Sequence, residues 1–159
     1  MNARAAISAR RAEAGFTLVE IVCALAIVAA LAALALPRLP TGTSRPRLEA
    51  LAVETAALLK ADRAAALRRG AEVATQVDAA AGRIRSGASG RQLNLPKDVR
   101  IEAVLPRSCN GRPAGARISF FGDGLSCGGV VRLARGGASV EVRVNWLTGG
   151  VELVSRRAS

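Results

Sequence analysis

Hydrophobic and polar residues are distributed unevenly along this chain of 159 residues. Ile21 to Leu36 contains no charged or strongly polar side chain, and counted from Phe16 the apolar segment is 21 residues long. At a rise of about 1.5 Å per residue it would form a helix of roughly 31 Å. A bilayer core is about 30 Å thick, so the pattern predicts a transmembrane helix that ends near Pro37.

A cleavable signal peptide is the alternative for such a segment, because Arg4, Arg10 and Arg11 precede it. The apolar run is longer than the roughly 7–15 residues of a signal-peptide core. It also contains Glu20, and a carboxylate within a membrane segment is costly and usually functional. The residues therefore favour a retained helix over a removed signal.

After a short connector that contains Pro40 and Pro46, the apolar residues recur first with the period of a helix and then with that of strands. Leucines and alanines recur every three or four residues between Arg47 and Arg69, which predicts one helix that ends at Gly70. Alternation with a period of two then predicts six or seven mostly antiparallel strands, with Gly82–Gly90 as a loop. The strand segments are Ala71–Asp78, Leu93–Leu95, Asp98–Leu105, Ala116–Phe121, Val130–Ala134, Ser139–Trp146 and Val151–Ser155. The predicted class is α+β, one helix packed on a sheet.

Composition narrows the possible chemistry. The chain has no histidine and no tyrosine, which removes the commonest general base and a principal zinc ligand. Asp123 has no second acid or histidine near it, so it reads as a turn residue, and no catalytic, metal or cofactor site is predicted. The net charge of +11 suggests an acidic partner, but arginines scattered over a solvated surface also explain it, and this explanation is favoured.

The stretch Gly15-Phe16-Thr-Leu-Val-Glu20, followed by the apolar helix and a proline, resembles the N-terminus of type IV pilins and type II secretion pseudopilins. The resemblance implies that a prepilin peptidase cuts after Gly15 and methylates Phe16. Glu20 then becomes the fifth residue and pairs with the N-terminal amine of a neighbouring subunit. The alternative is that Glu20 is merely solvated at headgroup level.

The resemblance implies four parts of the chain: a cleaved leader over 1–15, a transmembrane and assembly helix over 16–37, a connector over 38–46 and a pilin-like periplasmic α+β domain over 47–159. The basic leader should remain cytoplasmic, which places the domain on the periplasmic side of the bacterial inner membrane.

Two later segments, Ser119 to Val131 and Val144 to Val151, resemble the C-terminal half of the minor pseudopilin H family of type II secretion (GspH/FimT). The family implies a structural subunit, not an enzyme, at or near the tip of a pseudopilus that supports export of folded proteins. Its implied partners are the other pseudopilins of the tip complex and the major pseudopilin, the prepilin peptidase and the inner-membrane assembly platform.

The alternative function is that of a FimT-like minor pilin of type IV pili, which binds DNA during uptake. A basic surface would support such binding through release of counterions. No interleaving of aromatic and basic residues for base stacking is visible in the sequence. Genomic neighbours or a DNA-binding measurement would separate the two functions.

Three cysteines remain. Cys23 in the apolar helix serves as a small apolar residue. Cys109 and Cys127 fall in predicted loops of the domain that the resemblance places in the oxidising periplasm, where a disulfide between them would be stable. Two separate thiols are the alternative, because the sequence does not give the distance between them.

Overall fold

The structure, a computed structural model, describes residues 17–35 and 42–156. The chain divides into two compact units between Leu39 and Pro40. The leader, the cleavage position after Gly15, the methylation position Phe16 and residues 38–41 of the connector lie outside the described residues.

The first unit contains helix α1, Leu18–Ala35. Thr17 lies just before it, and its hydroxyl oxygen accepts a hydrogen bond from the backbone N–H of Glu20 at 3.3 Å. This contact satisfies one of the amide groups that the first turn of a helix leaves unpaired. Among the described residues, no helix meets the length and hydropathy needed to cross a membrane.

Helix α2, Arg45–Arg69, opens the second unit. It begins two residues before the predicted start of this helix. The reason is that Pro46 occupies the first turn, where a missing N–H is tolerated and the fixed φ of proline suits a helix. The helix ends as predicted at Gly70, which adopts the left-handed conformation with φ 58°.

Ten short strands follow α2, and all of their pairings are antiparallel. They are β1 (Val73–Asp78), β2 (Arg83–Arg85), β3 (Gln92–Asn94), β4 (Arg100–Val104), β5 (Ser108–Cys109), β6 (Arg112–Pro113), β7 (Arg117–Phe120), β8 (Gly129–Arg135), β9 (Ala138–Val144) and β10 (Val151–Arg156). The first sheet has the order β3-β2-β1-β7 and the second β10-β9-β8-β4, while β5 and β6 form a small hairpin. The predicted α+β class is confirmed.

One face of α2 packs against both sheets and forms the core with them. Leu48, Leu59 and Ala66 on the helix are almost fully buried, as are Ile118 and Phe120 on the first sheet. On the second sheet the buried residues include Val131, Leu133 and Val142. The alternation along each strand therefore brings one set of side chains into contact with the helix and leaves the other on the outer face.

Three local predictions were wrong. The second unit has ten strands instead of six or seven, because β2 and the β5–β6 hairpin were not predicted. The segment Gly82–Gly90 contains strand β2, because Ile84 is fully buried and the backbone pairs with β1 and β3. Trp146 does not continue the buried face of β9: the strand ends at Val144, and the Trp146 side chain is 66% exposed. A turn over Asn145–Gly150 breaks the alternation before it reaches Trp146.

Candidate functional site

Helix α1 presents apolar side chains on all sides. Its side chains are exposed from Leu18 to Ala33, and the large apolar ones range from 49% exposed at Ile21 to 80% at Leu18. A helix that is apolar all round is normally covered by protein or lipid, because so much apolar surface in water is unfavourable. A helix of this kind therefore needs a covering environment of lipid or protein.

Glu20 is the only charged residue of α1, and it lies in the first turn. Its carboxylate is exposed beside Leu18, Val19 and Ile21. A carboxylate in the first turn is stabilised by the positive end of the helix dipole. If the surrounding apolar side chains are covered, the carboxylate loses water and needs a cation to compensate. The geometry thus offers an acceptor for a positive group on a neighbouring chain.

A polar clasp holds the start of the second unit. The carboxylate of Asp98 accepts hydrogen bonds from the backbone N–H of Thr43 at 2.7 Å and from the Thr43 hydroxyl at 2.9 Å. Arg135, at the end of β8, forms a salt bridge to the same carboxylate at 2.7 Å and donates to the Thr43 carbonyl oxygen. The clasp attaches the chain just before α2 to the second sheet.

Acid should release this clasp. The hydrogen bonds from the Thr43 backbone and hydroxyl, with the charge of Arg135, lower the pKa of Asp98 below its usual 3.8. A lowered folded-state pKa stabilises the fold above the unfolded-state pKa, and this contribution is lost as pH falls through the folded value. We expect Asp98→Asn to lower the urea midpoint of unfolding near neutral pH. The difference between the midpoints of the variant and the wild type should become smaller as the pH falls below 3.8. Urea unfolding at several pH values measures this, and a difference that is constant with pH would contradict it.

A second carboxylate, Asp62, is fully buried on the core face of α2. It accepts hydrogen bonds from the hydroxyls of Thr75 at 2.6 Å and Ser86 at 2.5 Å. It also accepts from the backbone N–H groups of Gly87 at 3.0 Å and Ala88 at 3.1 Å. Four donors thus surround one buried acid, which joins α2 to β1 and to the segment after β2.

Glu141 is 2% exposed although it lies on the outer face of the second sheet. Arg143 and Arg132 bind its two carboxylate oxygens with closest distances of 2.7 Å and 2.5 Å. These bonds hold the pKa of Glu141 below its ordinary value, the bond from Arg143 having the larger effect. Arg132 also reaches Glu102 at 3.3 Å, so Arg132 and Arg143 are neutralised by acids of the same face.

The structure joins Cys109 and Cys127 in a disulfide, with their Cα atoms 5.6 Å apart. The bond attaches the β5–β6 hairpin to the loop between β7 and β8. In the chain-entropy model, closing a loop of this length stabilises a fold by about 3 kcal/mol. Cys23 is a free, exposed cysteine in α1. The two predicted partners are therefore brought together, and the third cysteine is kept apart from them along the chain.

Sequence reasoning missed Asp62 and Glu141. Asp62 stands among Leu58, Leu59 and Ala65 at the spacing of the buried face, and this position was the signal that could have identified it. Glu141 gave no such signal, because an outward position on an alternating strand is ordinarily exposed. It forms ion pairs with Arg143 of its own strand and with Arg132, which belongs to the neighbouring strand.

Comparison with protein families agrees with the N-terminal pattern. Residues 10–36 match the prokaryotic N-terminal methylation motif. Over 148 residues the chain is 30% identical to type II secretion system protein H of Xanthomonas campestris pv. campestris. That alignment covers 93% of this chain and 87% of the relative.

Solved structures share the fold. The minor pseudopilin EpsH from the type 2 secretion system of Vibrio cholerae matches with a TM-score of 0.54 at 13% identity, over 68% of this chain and 96% of that one. The type IV minor pilin FimU of Pseudomonas aeruginosa matches with a TM-score of 0.52 at 16% identity, over 70% of this chain and 91% of that one. At these identities the matches show a common pilin-like fold.

Proposed function

This chain belongs to the family of type II secretion system protein H, and we propose that it acts as a minor pseudopilin at or near the tip of a periplasmic pseudopilus. Its role there is structural: it helps to start or cap the fibre and so supports export of folded proteins. The observation that carries this proposal is α1, a helix with exposed apolar side chains on every side that lies within the match to the methylation motif.

In the proposed assembly, Glu20 sets the axial position of each incoming subunit relative to its neighbour. After cleavage behind Gly15, the new N-terminus is the ammonium of Phe16. Glu20 is then the fifth residue of the processed chain. A carboxylate and an ammonium attract strongly in a low-dielectric helix bundle, and each is costly when buried alone. The pair of Glu20 with the Phe16 amine of a neighbour therefore favours one axial position of the incoming subunit.

Before assembly, the proposed location of the chain is the bacterial inner membrane, with the second unit in the periplasm. The basic leader with Arg4, Arg10 and Arg11 supports this orientation, since positive segments tend to stay cytoplasmic. The disulfide of the second unit is compatible with an oxidising compartment. The proposed partners are the other pseudopilins, the prepilin peptidase and the inner-membrane assembly platform.

Mass spectrometry of the native protein tests the proposal. In cells with a working prepilin peptidase, we expect a chain that begins at Phe16 and carries one added methyl group at its N-terminus. In cells that lack the peptidase, residues 1–15 should remain attached. Retention of residues 1–15 in both strains would refute the proposal, because an unprocessed leader leaves Glu20 without its amine partner.

A further inference from the structure

The outer face of the first sheet, opposite the core, is polar and basic. It is formed by alternate residues of β1, β2, β3 and β7, whose inward side chains are buried or, at Leu93, partly buried. Its exposed members are Gln76, Arg83, Arg85, Gln92, Asn94 and Arg117. Among the described residues of these four strands, no aromatic side chain is exposed on this face. The face thus offers charge and hydrogen bonds rather than apolar contact.

Strand register arranges four of these residues in one row. Arg117 on β7 is opposite Gln76 on β1, Gln76 is opposite Arg85 on β2, and Arg85 is opposite Gln92 on β3. Neighbouring strands lie about 4.8 Å apart, so the backbones of Arg117 and Arg85 are separated by about 10 Å. The row therefore alternates cationic and amide side chains across the whole sheet.

The charges of this row are not neutralised within residues 42–156. No salt bridge of the described residues involves Arg85 or Arg117, and Arg117 reaches only the Pro113 carbonyl oxygen at 3.5 Å. The acid of this face, Asp78, is already bound to Arg83 at 3.0 Å. The second sheet differs, because the outward Arg132 and Arg143 are both held by Glu141.

We propose that the row of Arg117, Gln76, Arg85 and Gln92 is a docking surface for an acidic polypeptide segment of a partner protein. Charge complementarity supports this occupant, since the guanidinium groups bind carboxylates and the amides bind peptide groups. A single-stranded nucleic acid is disfavoured, because such ligands depend on stacking against aromatic side chains that this face lacks. The inference goes beyond the assembly role and can fail independently of it, since cleavage after Gly15 does not involve this face.

The test uses the processed full-length protein in nonionic detergent, with fluorescent poly-L-glutamate as the probe. We expect R85E/R117E to weaken binding by about tenfold or more, because two charge-assisted contacts become repulsive. The matched control, R47E/R100E, makes the same two charge reversals at exposed arginines elsewhere in the second unit and should weaken binding less than about threefold. R85K/R117K, which keeps both charges, should bind within a few-fold of wild type, and circular dichroism checks that every variant is folded.

Three outcomes would overturn the proposal. Equal losses of binding in R85E/R117E and R47E/R100E would mean that net charge alone attracts the probe. No binding by the wild type would mean that nothing on this face attracts it. Tighter binding of an oligodeoxythymidylate of equal charge, lost in R85E/R117E, would assign the face to nucleic acid instead. Selective loss of polyglutamate binding in R85E/R117E would support an acidic protein partner.

Discussion

Replacement of Glu20 with glutamine is expected to reduce incorporation into pseudopili at least a hundredfold. In the proposed assembly, the carboxylate neutralises the Phe16 ammonium of a neighbouring subunit in an apolar helix bundle. Removal of one partner from a buried ion pair costs about 3–5 kcal/mol, since the other charge stays buried alone. Each 1.4 kcal/mol corresponds to a factor of about ten in the equilibrium constant. The measurement is the amount of variant protein in sheared fibres relative to the membrane fraction.

A matched control keeps the charge and changes only the length of the side chain. Glu20→Asp should retain more incorporation than Glu20→Gln, although the shorter side chain places the carboxylate less favourably. Mass spectrometry must show that both variants are still cut after Gly15, so that a processing defect is not mistaken for an assembly defect. Wild-type incorporation of Glu20→Gln would refute the ion-pair role of this acid.

Replacement of Asp62 with alanine is expected to destabilise the second unit by about 3 kcal/mol or more. The substitution removes the acceptor of four hydrogen bonds, and it leaves the hydroxyls of Thr75 and Ser86 and two backbone N–H groups without their partner. Each buried polar group left unsatisfied costs about 1–3 kcal/mol, and the cavity left by the lost carboxylate adds to this cost. Urea unfolding followed by circular dichroism and by the fluorescence of Trp146 gives the free energy of unfolding.

An exposed acid of the same helix serves as the control for Asp62. Glu49 forms an i,i+4 pair with Arg45 at 3.3 Å, and both side chains are about half exposed. Such pairs contribute about 0.2–0.5 kcal/mol, so Glu49→Ala should change the free energy of unfolding only slightly. Similar losses from Asp62→Ala and Glu49→Ala would show that the buried network contributes little.

The errors in the predicted strands have a common physical origin. Alternation in a sequence shows which residues could share one face of a strand, but hydrogen bonds to neighbouring strands decide where the strand ends. Val140, Val142 and Val144 were correctly placed on the buried face of β9. Trp146 was not, because the Asn145 side chain accepts bonds from the Leu147 and Thr148 N–H groups and turns the chain.

The segment after β1 shows the same limit of sequence patterns, here for a strand that was not predicted. Its glycines, serines and arginines are typical of a loop, and a single apolar residue, Ile84, was too weak a signal for a strand. The strand β2 exists because β1 and β3 pair with it on both sides and because Asp62 holds the residues that follow it. Both causes are distant in sequence, so local propensity could not reveal them.

The sequence by itself determined the features whose chemistry is local. These are the cleavage and methylation motif, the apolar helix with its single acid, the α+β class and the family, since each depends on neighbouring residues or on a regular period. The tertiary structure decided which distant groups meet: Thr43 with Asp98, Asp62 with Ser86, Cys109 with Cys127 and the arginine row across the first sheet. Such contacts follow from strand order and register, which depend on the packing of the whole core and are not encoded in any one segment.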